Sequence, residues 1–422
     1  MDAFEIRGGR LLQGEMQVYG AKNAALPILA ASVMSEQECV IHGVPDLEDV
    51  RVMMEILVAL GARVQREGDT VTVSPQTIRH TNVPAHLMRR MRSSIFLMGP
   101  LLARFGEAQL SRPGGCVIGQ RPIDYHLRGI RALGARIEER NGYVRSTANR
   151  LFGTRLTLDF PSVGATENLM MASVLADGET VIDNAAREPE IGDLADFLKG
   201  CGARIRGAGE GTIVVQGVHH LHGTTHQVIP DRIVAGTMLI AAAATGGTLT
   251  LTGTRAEHLG SLLGKLQEVG IPVAQEHDII QMKGLRPLRG ANLRTEPYPG
   301  FPTDLQAPFM TLLTLAQGTS IIHENVFEAR YKHVDELRRM GAEITVDLRT
   351  AVIRGVANLS SAVVEATDLR GGAALVVAAL AAEGDSRVEG LQHIDRGYQE
   401  LDVYLRDLGA DVRRVVLSPD AV

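Results

Sequence analysis

The chain of 422 residues contains no tryptophan and only three cysteines, an odd number that includes no CxxC pair. So few cysteines argue against a disulfide framework and against a zinc site, and they favour a reducing compartment. The histidines form no HExxH-like pair, and we therefore expect no metal site.

Strong charge of either sign and long apolar runs are missing as well. The net charge of −6 gives the chain no general affinity for nucleic acid or for anionic membranes. The longest apolar runs, such as "MLIAAAATGG", are too short and too rich in alanine and glycine to span a bilayer. The first ten residues, "MDAFEIRGGR", lack the apolar segment of a signal peptide. We therefore expect a cytoplasmic protein with no nucleic-acid or membrane partner.

Nucleotide-binding loops of the common kinds are also absent. No P-loop signature occurs, and "RPGGCVIG" lacks the lysine that would reach phosphates. The stretch "GCGARIRG" resembles a dinucleotide-binding loop only superficially, because it follows a predicted helix and not a strand. The sequence therefore contains no recognisable nucleotide-phosphate loop, and any anion site must be locally built from other groups.

What the chain does contain is one pattern repeated six times. A short phrase, "LGARV" in its first occurrence, recurs about every 70 residues with a glycine at its second position. These glycines are Gly61, Gly134, Gly202, Gly270, Gly341 and Gly409. Each repeat reads as an alanine-rich helix, a strand, a second helix that ends at the glycine, and further alternating strands. The sequence predicts six α/β repeats of two helices and about four strands each.

Three such repeats could close around their own buried helices, which predicts two similar α/β domains. Residues 1–21 are strand-like and precede the first helix, just as "TTHQVIPD" precedes the fourth. We therefore expect the N-terminal strand to complete the last repeat. The predicted domains are residues 22–229, and residues 230–422 together with 1–21.

Cationic and polar residues collect where the predicted helices begin, and helix N-termini attract anions. Five repeats place an arginine 11 to 15 residues before the repeated glycine, namely Arg121, Arg187, Arg255, Arg330 and Arg396. Taken singly, such an arginine is more often a solvated charge. Likewise, Asn23, Ser93 and Asp304 read as helix N-caps, and Thr303 with Gln306 fits a capping box.

Their collective placement favours a binding site over a set of unrelated surface charges. If the two domains face each other, one cleft would be lined by Lys22, Arg92, Arg121, Arg330, Arg370 and Arg396. Arginine forks bind phosphate and carboxylate groups bidentately. The sequence thus predicts a substrate that carries several such groups.

One cysteine lies in an unusual stretch, "SRPGGCVIGQRPID" at residues 111–124. A cysteine in a soluble protein is most often a small buried apolar residue. Here Cys116 is surrounded by three glycines, two prolines and two arginines, which is typical of a cationic loop. Because nearby cations favour the thiolate, the stretch predicts a reactive thiol.

Several longer stretches resemble the UDP-N-acetylglucosamine enolpyruvyl transferase family. Among them are "YGAKNAALPILAAS" (19–32), "RPGGCVIGQRPIDYH" (112–126), "PSVGATENLMMAS" (161–173), "FPTDLQA" (301–307) and "HIDRGYQELD" (393–402). The resemblance runs from end to end and implies two inside-out α/β barrel domains of three repeats each, with the active site in the interdomain cleft. It implies transfer of the enolpyruvyl group of phosphoenolpyruvate to the 3′-hydroxyl of UDP-N-acetylglucosamine, with release of phosphate and without a cofactor. This is the first committed step of peptidoglycan precursor synthesis.

The resemblance also implies which residues bind phosphoenolpyruvate and which perform the chemistry. The phosphoenolpyruvate site would consist of Lys22, Asn23, Arg121, Arg330, Arg370 and Arg396, of which Arg330 and Arg370 would hold the carboxylate end. Asp304 would accept or position the hydroxyl proton, while Lys22 and Arg396 would stabilise developing charge. Cys116 matches the loop cysteine that adds to phosphoenolpyruvate or acts as a general acid, and that fosfomycin alkylates.

The nucleotide-sugar site implied by the resemblance is larger. It would consist of Asn23, Arg92, Arg121, Pro122, Ile123, Asp124, Tyr125, Ser162, Val163, Gly164, Asp304 and Val326.

Two alternatives remain open at this point. The sister enzyme that makes 5-enolpyruvylshikimate 3-phosphate shares the fold and phosphoenolpyruvate, but Cys116 and the "PSVGATEN" turn favour the nucleotide sugar. A non-catalytic paralogue that binds a UDP-sugar would be expected to lose Lys22, Cys116 or Asp304, and all three are present.

Overall fold

The computed structural model describes residues 2–111 and 123–417. The strands in these ranges are β1 (Asp2–Arg7), β2 (Gln13–Gln17), β3 (Cys39–His42), β4 (Arg63–Glu67), β5 (Thr70–Ser74), β6 (Glu107–Ser111), β7 (Arg136–Arg140), β8 (Tyr143–Thr147), β9 (Arg155–Thr157), β10 (Glu179–Asp183), β11 (Arg204–Arg206), β12 (Thr212–Gln216), β13 (Thr225–Gln227), β14 (Thr248–Thr252), β15 (Val273–Glu276), β16 (Ile279–Lys283), β17 (Leu288–Arg289), β18 (Leu293–Thr295), β19 (Ala316–Gln317), β20 (Thr319–Glu324), β21 (Glu343–Asp347), β22 (Thr350–Arg354), β23 (Val363–Glu365), β24 (Asp385–Glu389) and β25 (Asp411–Val416).

The α-helices are α1 (Lys22–Ala31), α2 (Glu48–Leu60), α3 (Ala85–Arg90), α4 (Met98–Phe105), α5 (Asp124–Ala132), α6 (Val163–Val174), α7 (Pro189–Gly200), α8 (Arg232–Thr245), α9 (Gly260–Glu268), α10 (Gln306–Thr314), α11 (Val334–Arg339), α12 (Leu369–Ala381), α13 (Leu391–Ile394) and α14 (Leu401–Asp407). Short 3-10 helices lie at Ser32–Met34, Pro75–Thr77, Arg92–Leu97, Ala256–Leu259 and Thr303–Leu305.

These elements form two compact units. The described residues of the first unit are 20–111 and 123–229, and those of the second unit are 2–19 and 230–417. Each unit has its own apolar core.

Three principal sheets belong to each unit, one for each repeat. In the first unit the strand orders are β13-β3-β5-β4, β6-β8-β7 and β11-β12-β10-β9. In the second unit they are β15-β16-β14-β2, β18-β20-β22-β21 and β23-β24-β1-β25, with β17 and β19 as an additional parallel pair. The N-terminal strand β1 pairs with both β24 and β25, so it completes the last repeat, as expected from the sequence.

The helices that open the repeats fill the interior of each unit. In the second unit, α8, α10 and α12 pack against one another, and every residue of α8 from Ile233 to Ala244 is buried. The strands alternate between buried and exposed residues, as in β12 and β14, so each sheet turns one face to the helices and the other to solvent. Helices inside and sheets outside are the predicted inside-out α/β barrel, and this fold-class prediction is confirmed.

The repeated glycines mark the ends of the second helices. All six have φ between +90° and +105°, the left-handed region that glycine adopts without strain. A residue in this conformation at the end of a helix allows the last carbonyl groups of the helix to accept hydrogen bonds. The repeat therefore recurs in the sequence because each copy needs the same helix end.

The predicted N-caps are wrong. Asn23 lies inside α1, and Ser93 and Asp304 lie inside 3-10 helices, so none of them is an N-cap residue. The hydroxyl of Thr303 bonds to Glu324 and does not form a capping box with Gln306. The side chains that cap α6, α8 and α12 belong to Ser162, Asp231 and Asp368.

Within residues 2–111 and 123–417, no helix is long and apolar enough to cross a membrane.

Candidate active site

In the second unit, one carboxylate lies between two arginines. Asp304 is the middle residue of the 3-10 helix Thr303–Leu305, directly before α10. Nη2 of Arg330 donates to its Oδ1, and Nη2 of Arg370 lies 3.3 Å from its Oδ2. Three predicted site residues from distant parts of the sequence therefore meet at one point.

Both arginines are buried, and each has one side-chain nitrogen that can donate a further hydrogen bond. Arg330 is 5% exposed and Arg370 is 4% exposed. Among the residues that the structure describes, Nε of Arg330 and Nη1 of Arg370 have no hydrogen-bond partner. Burial lowers the pKa of Arg370, but Tyr398 and two aspartates raise it more, so it lies above its usual range. Buried charged donors of this kind are suited to an anionic ligand.

Aromatic rings pack against both guanidinium groups. The central carbon of Arg330 lies 5.4 Å from the ring centre of Phe327, and that of Arg370 lies 5.4 Å from the ring centre of Tyr398. Tyr398 is buried, and its hydroxyl lies 2.9 Å from Oγ1 of Thr237. These contacts hold the guanidinium planes in place before any ligand binds.

A helix cap fixes the backbone of Arg370. Oδ1 of Asp368 accepts hydrogen bonds of 3.0 Å from the backbone amides of Arg370 and Gly371, at the start of α12. Next to this cap lies His333, which is 2% exposed. Burial lowers the pKa of His333 to about 4, so its ring is neutral at neutral pH.

Two loops of the second unit are joined by one buried carboxylate, that of Glu324. It is fully buried at the end of β20 and accepts hydrogen bonds from the hydroxyl of Thr303 at 3.1 and 3.0 Å. Its Oε1 also accepts from the backbone amides of Val326 at 2.9 Å and Phe327 at 3.0 Å. The half-buried Val326, a predicted nucleotide-sugar contact, is thereby tied to the residue that precedes Asp304.

In the first unit, the predicted phosphate-binding lysine is held in a buried ion pair. Lys22 is the first residue of α1, and its Nζ lies 3.2 Å from Oδ2 of Asp49, in the first turn of α2. Lys22 is 8% exposed and Asp49 is 3% exposed. Asn23 follows and is half-buried.

The start of α6 contains three predicted nucleotide-sugar residues. Ser162 is the N-cap, and its Oγ accepts a hydrogen bond of 3.4 Å from the amide of Ala165. Val163 and Gly164 are the first two residues of the helix. A Cβ at Gly164 would lie 3.2 Å from the ring of Phe96, so the close approach of this ring favours glycine.

The remaining predicted residues lie at element boundaries. Ile123 is buried just before α5, where Asp124 is exposed and Tyr125 is half-buried. Arg92 begins the 3-10 helix Arg92–Leu97, and the half-buried Arg396 follows α13. The predicted residues Cys116, Arg121 and Pro122 lie outside the described residues.

Of the predicted site residues, the structure brings Asp304, Arg330 and Arg370 together, and it adds residues that sequence reasoning missed. Asp49 and Glu324 are the clearest of these, because each hydrogen-bonds directly to a predicted site residue or its neighbour. Each has branched apolar residues nearby in the sequence, as in "LEDVRVM" and "SIIHENV", but charged or polar residues lie beside it as well, so the sequence carries no clear signal of a buried carboxylate. In the part of the chain that is described, no cluster of His, Cys, Asp or Glu could hold a metal ion.

Comparison with solved structures defines the class of protein. The enolpyruvyl transferase NikO from Streptomyces tendae is 27% identical, with a TM-score of 0.90 and 99% of each chain covered. An EPSP synthase from Acinetobacter baumannii shares the fold at 19% identity, with a TM-score of 0.77 over 99% of this chain and 100% of that one. A family model described as EPSP synthase (3-phosphoshikimate 1-carboxyvinyltransferase) matches residues 6–403. The fold is therefore that of the enolpyruvyl transferases.

Sequence relatives lead to one branch of this class. UDP-N-acetylglucosamine 1-carboxyvinyltransferase 1 of Symbiobacterium thermophilum is 54% identical, over 98% of this chain and 95% of the relative. UDP-N-acetylglucosamine 1-carboxyvinyltransferase 2 of Caldanaerobacter subterraneus is 52% identical, over 99% of this chain and 100% of the relative. The chain belongs to the UDP-N-acetylglucosamine 1-carboxyvinyltransferase family, which confirms the resemblance seen in its motifs.

Proposed function

We propose that the protein transfers the enolpyruvyl group of phosphoenolpyruvate to the 3′-hydroxyl of UDP-N-acetylglucosamine and releases phosphate. The structural observation that carries this proposal is Asp304, held between two buried arginines that each keep a donor nitrogen unused within the described residues. A proton acceptor beside two anion-binding groups is what the reaction requires. The names of the relatives with about half of their residues identical support the same activity. The product is a precursor of peptidoglycan.

The reaction is an addition followed by an elimination. The 3′-oxygen of the sugar forms a bond to C2 of phosphoenolpyruvate, Asp304 takes the hydroxyl proton, and a proton is added to C3. The bond from C2 to the phosphate oxygen then breaks, a proton leaves C3, and the enol ether and phosphate are released. The carboxylate of Asp304 is suited to its step because both oxygens are already oriented by hydrogen bonds.

In this proposal, two sets of residues bind the two charged groups of phosphoenolpyruvate. Arg330 and Arg370 bind the carboxylate. It would accept hydrogen bonds from the buried Nε of Arg330 and Nη1 of Arg370. Lys22, Arg121 and Arg396 bind the phosphate and stabilise charge that develops on it as it leaves. Asn23, Ser162 to Gly164 and Val326 are assigned to the nucleotide sugar together with the other residues implied by the resemblance.

Cys116 is assigned as the group that adds to phosphoenolpyruvate or donates a proton to it. Its thiolate would open the epoxide of fosfomycin and form a carbon–sulfur bond, which gives a direct test by mass spectrometry. The other two cysteines are internal controls, because Cys39 and Cys201 are 0% and 2% exposed. We expect the added mass on the peptide that contains Cys116. Mass on a peptide with either buried cysteine would contradict the assignment.

The experiment that tests the whole proposal is an assay of phosphate release from phosphoenolpyruvate. We expect release with UDP-N-acetylglucosamine and none with shikimate 3-phosphate as the acceptor. Turnover with shikimate 3-phosphate alone would assign the protein to the sister activity, and folded protein that binds the nucleotide sugar without releasing phosphate would indicate a binding protein. We place the reaction in the cytoplasm, where unpaired cysteines remain reduced.

A further inference from the structure

Five residues of the second unit form a closed ring of contacts, and one of them is Asp304, the proposed proton acceptor. Glu324 accepts from the hydroxyl of Thr303, which precedes Asp304 in the chain. Asp304 pairs with Arg330, and the ring of Phe327 lies against the guanidinium group of Arg330. The amide of Phe327 in turn donates to Glu324 at 3.0 Å, which closes the ring.

Glu324 is an unusual residue to find at this point of the fold. It is 0% exposed, and burying a carboxylate costs several kcal/mol unless hydrogen bonds compensate for the lost water. The hydrogen bonds that compensate here come from Thr303, Val326 and Phe327. An apolar residue would fill a β-strand position of this kind without that desolvation, but it could accept none of these bonds.

We propose that Glu324 is a positioning residue for the transfer reaction, which fixes Asp304 and Arg330 relative to the Val326 loop. This inference rests on the proposed function. Glu324 acts through the groups it holds and does not itself touch the substrates. It fixes Asp304 from one side through Thr303 and Arg330 from the other side through Phe327. Misplacing a reacting group by about 1 Å can lower a rate by about 100-fold.

The position of the ring predicts which kinetic constants depend on Glu324. Asp304 and Val326 are both assigned to the nucleotide sugar, whereas Arg330 is assigned to the carboxylate of phosphoenolpyruvate. Loss of the ring should therefore lower kcat and raise KM for both substrates. A residue that only stabilised the fold would lower Tm and leave the constants of the folded protein unchanged.

Three variants separate these possibilities. Glu324→Gln keeps the size of the side chain but cannot accept all of the hydrogen bonds, and Thr303→Val removes the hydroxyl that links the ring to Asp304. Thr303→Ser restores that hydroxyl. We expect each of the first two to lower kcat about ten-fold or more, and Thr303→Ser to retain most of the activity.

Ser320→Ala is the matched structural control. Ser320 lies on the same strand, is 1% exposed, and its hydroxyl accepts a hydrogen bond of 3.1 Å from the amide of Ala291. Its loss removes a comparable buried hydrogen bond away from the ring, so we expect a lower Tm and unchanged kinetic constants.

The measurements are steady-state phosphate release against each substrate, together with Tm, on the full chain. The inference is overturned if folded Glu324→Gln and Thr303→Val keep wild-type kcat and KM, or if Thr303→Ser is as impaired as Thr303→Val. Should Glu324→Gln fail to fold, the two Thr303 variants decide alone. A wild-type protein without turnover in the same assay would overturn the proposed function itself, and this inference with it.

Discussion

The amine of Lys22 lies 3.2 Å from a carboxylate oxygen of Asp49, and both side chains are almost completely buried. The two residues lie in the first turns of two helices, α1 and α2, that pack against each other in the first unit. Burial disfavours a charged amine, and a carboxylate at hydrogen-bond distance compensates for that effect. Asp49 therefore orients Lys22 for the phosphate that we assign to it.

Replacing Asp49 should weaken phosphoenolpyruvate use. In Asp49→Asn the buried amine of Lys22 loses the carboxylate that lies at hydrogen-bond distance from it. We expect kcat/KM for phosphoenolpyruvate to fall about ten- to 100-fold, because Lys22 is no longer held in place for the phosphate. Steady-state kinetics of phosphate release measure this loss, with Tm as the measure of folding.

Asp46→Asn is the control for this prediction. Asp46 lies three residues before Asp49, but its side chain is 42% exposed and pairs with the exposed Arg51 at 2.7 Å. Exposed pairs of this kind contribute little. We expect wild-type kinetics for Asp46→Asn, and an unchanged kcat/KM for phosphoenolpyruvate in Asp49→Asn would contradict the role given to Asp49.

Removing the proposed proton acceptor should abolish most of the turnover while the fold persists. Asp304→Asn keeps the shape of the side chain and one acceptor for Arg330 or Arg370, but an amide cannot take the hydroxyl proton. We expect kcat to fall by about 100- to 10,000-fold, the range for loss of a general base. The assay is phosphate release, with Tm as the measure of folding.

Asp335→Asn is the matched control in the same unit. Asp335 pairs with Arg338 at 2.8 Å, but its side chain is 82% exposed. We expect its kcat to equal that of the wild type. Wild-type turnover in Asp304→Asn would remove Asp304 from the proposed mechanism.

The repeated features of the fold were predictable because local physical requirements recur in the sequence. Each repeat ends its second helix with a glycine at positive φ, and only glycine adopts that conformation freely. The similar strand-like segments before the first and fourth helices correctly indicated that β1 completes the last repeat. The groups around Asp304 could not be derived in the same way, because Arg330 and Arg370 reach it from 26 and 66 residues away.

The polar residues inside the helices and strands were the hardest to interpret from sequence. Asn23 and Asp304 resemble N-caps, but each lies inside a helix, and the carboxylate of Asp304 pairs with two arginines and does not cap a helix. Glu324 and Glu167 look alike as single acidic residues in apolar stretches. The first is fully hydrogen-bonded, and neither carboxylate oxygen of the second has a partner within the described residues. Such differences depend on tertiary contacts that no local pattern encodes.

His333 should make the protein less stable in mild acid. Burial lowers its pKa to about 4, from the usual 6.5, so between these values the unfolded chain binds a proton that the folded protein does not. Stability contributed by the neutral ring is present above pH 6.5 and is lost as the pH falls toward 4, by about 3 kcal/mol at most. Urea unfolding at pH 7.5 and 4.5 measures the loss.

In His333→Gln the pH dependence of unfolding should become shallower over that range. Comparing slopes cancels any change in stability that the substitution causes at every pH. His220→Gln is the control, because the side chain of His220 is 77% exposed. An unaltered slope in His333→Gln would show that His333 is not the group that titrates.

Glu167 should have the opposite dependence on pH. It is 1% exposed in α6, and burial, followed by the charges of Glu190 and Glu188, raises its pKa well above the usual value. The folded protein thus retains a proton that the unfolded chain has already lost. Its contribution to stability is complete below pH 4.5 and declines as the pH rises toward the folded pKa. We therefore expect Glu167→Gln, which carries no charge at any pH, to gain stability relative to the wild type as the pH increases.

Urea unfolding of Glu167→Gln and the wild type at pH 5, 7 and 9 tests this expectation. The difference in unfolding free energy should grow in favour of the variant from pH 5 to pH 9. Glu179→Gln serves as the control, since its side chain is 50% exposed and we expect no such trend. A difference that stays constant with pH would mean that the buried carboxyl of Glu167 does not hold the extra proton.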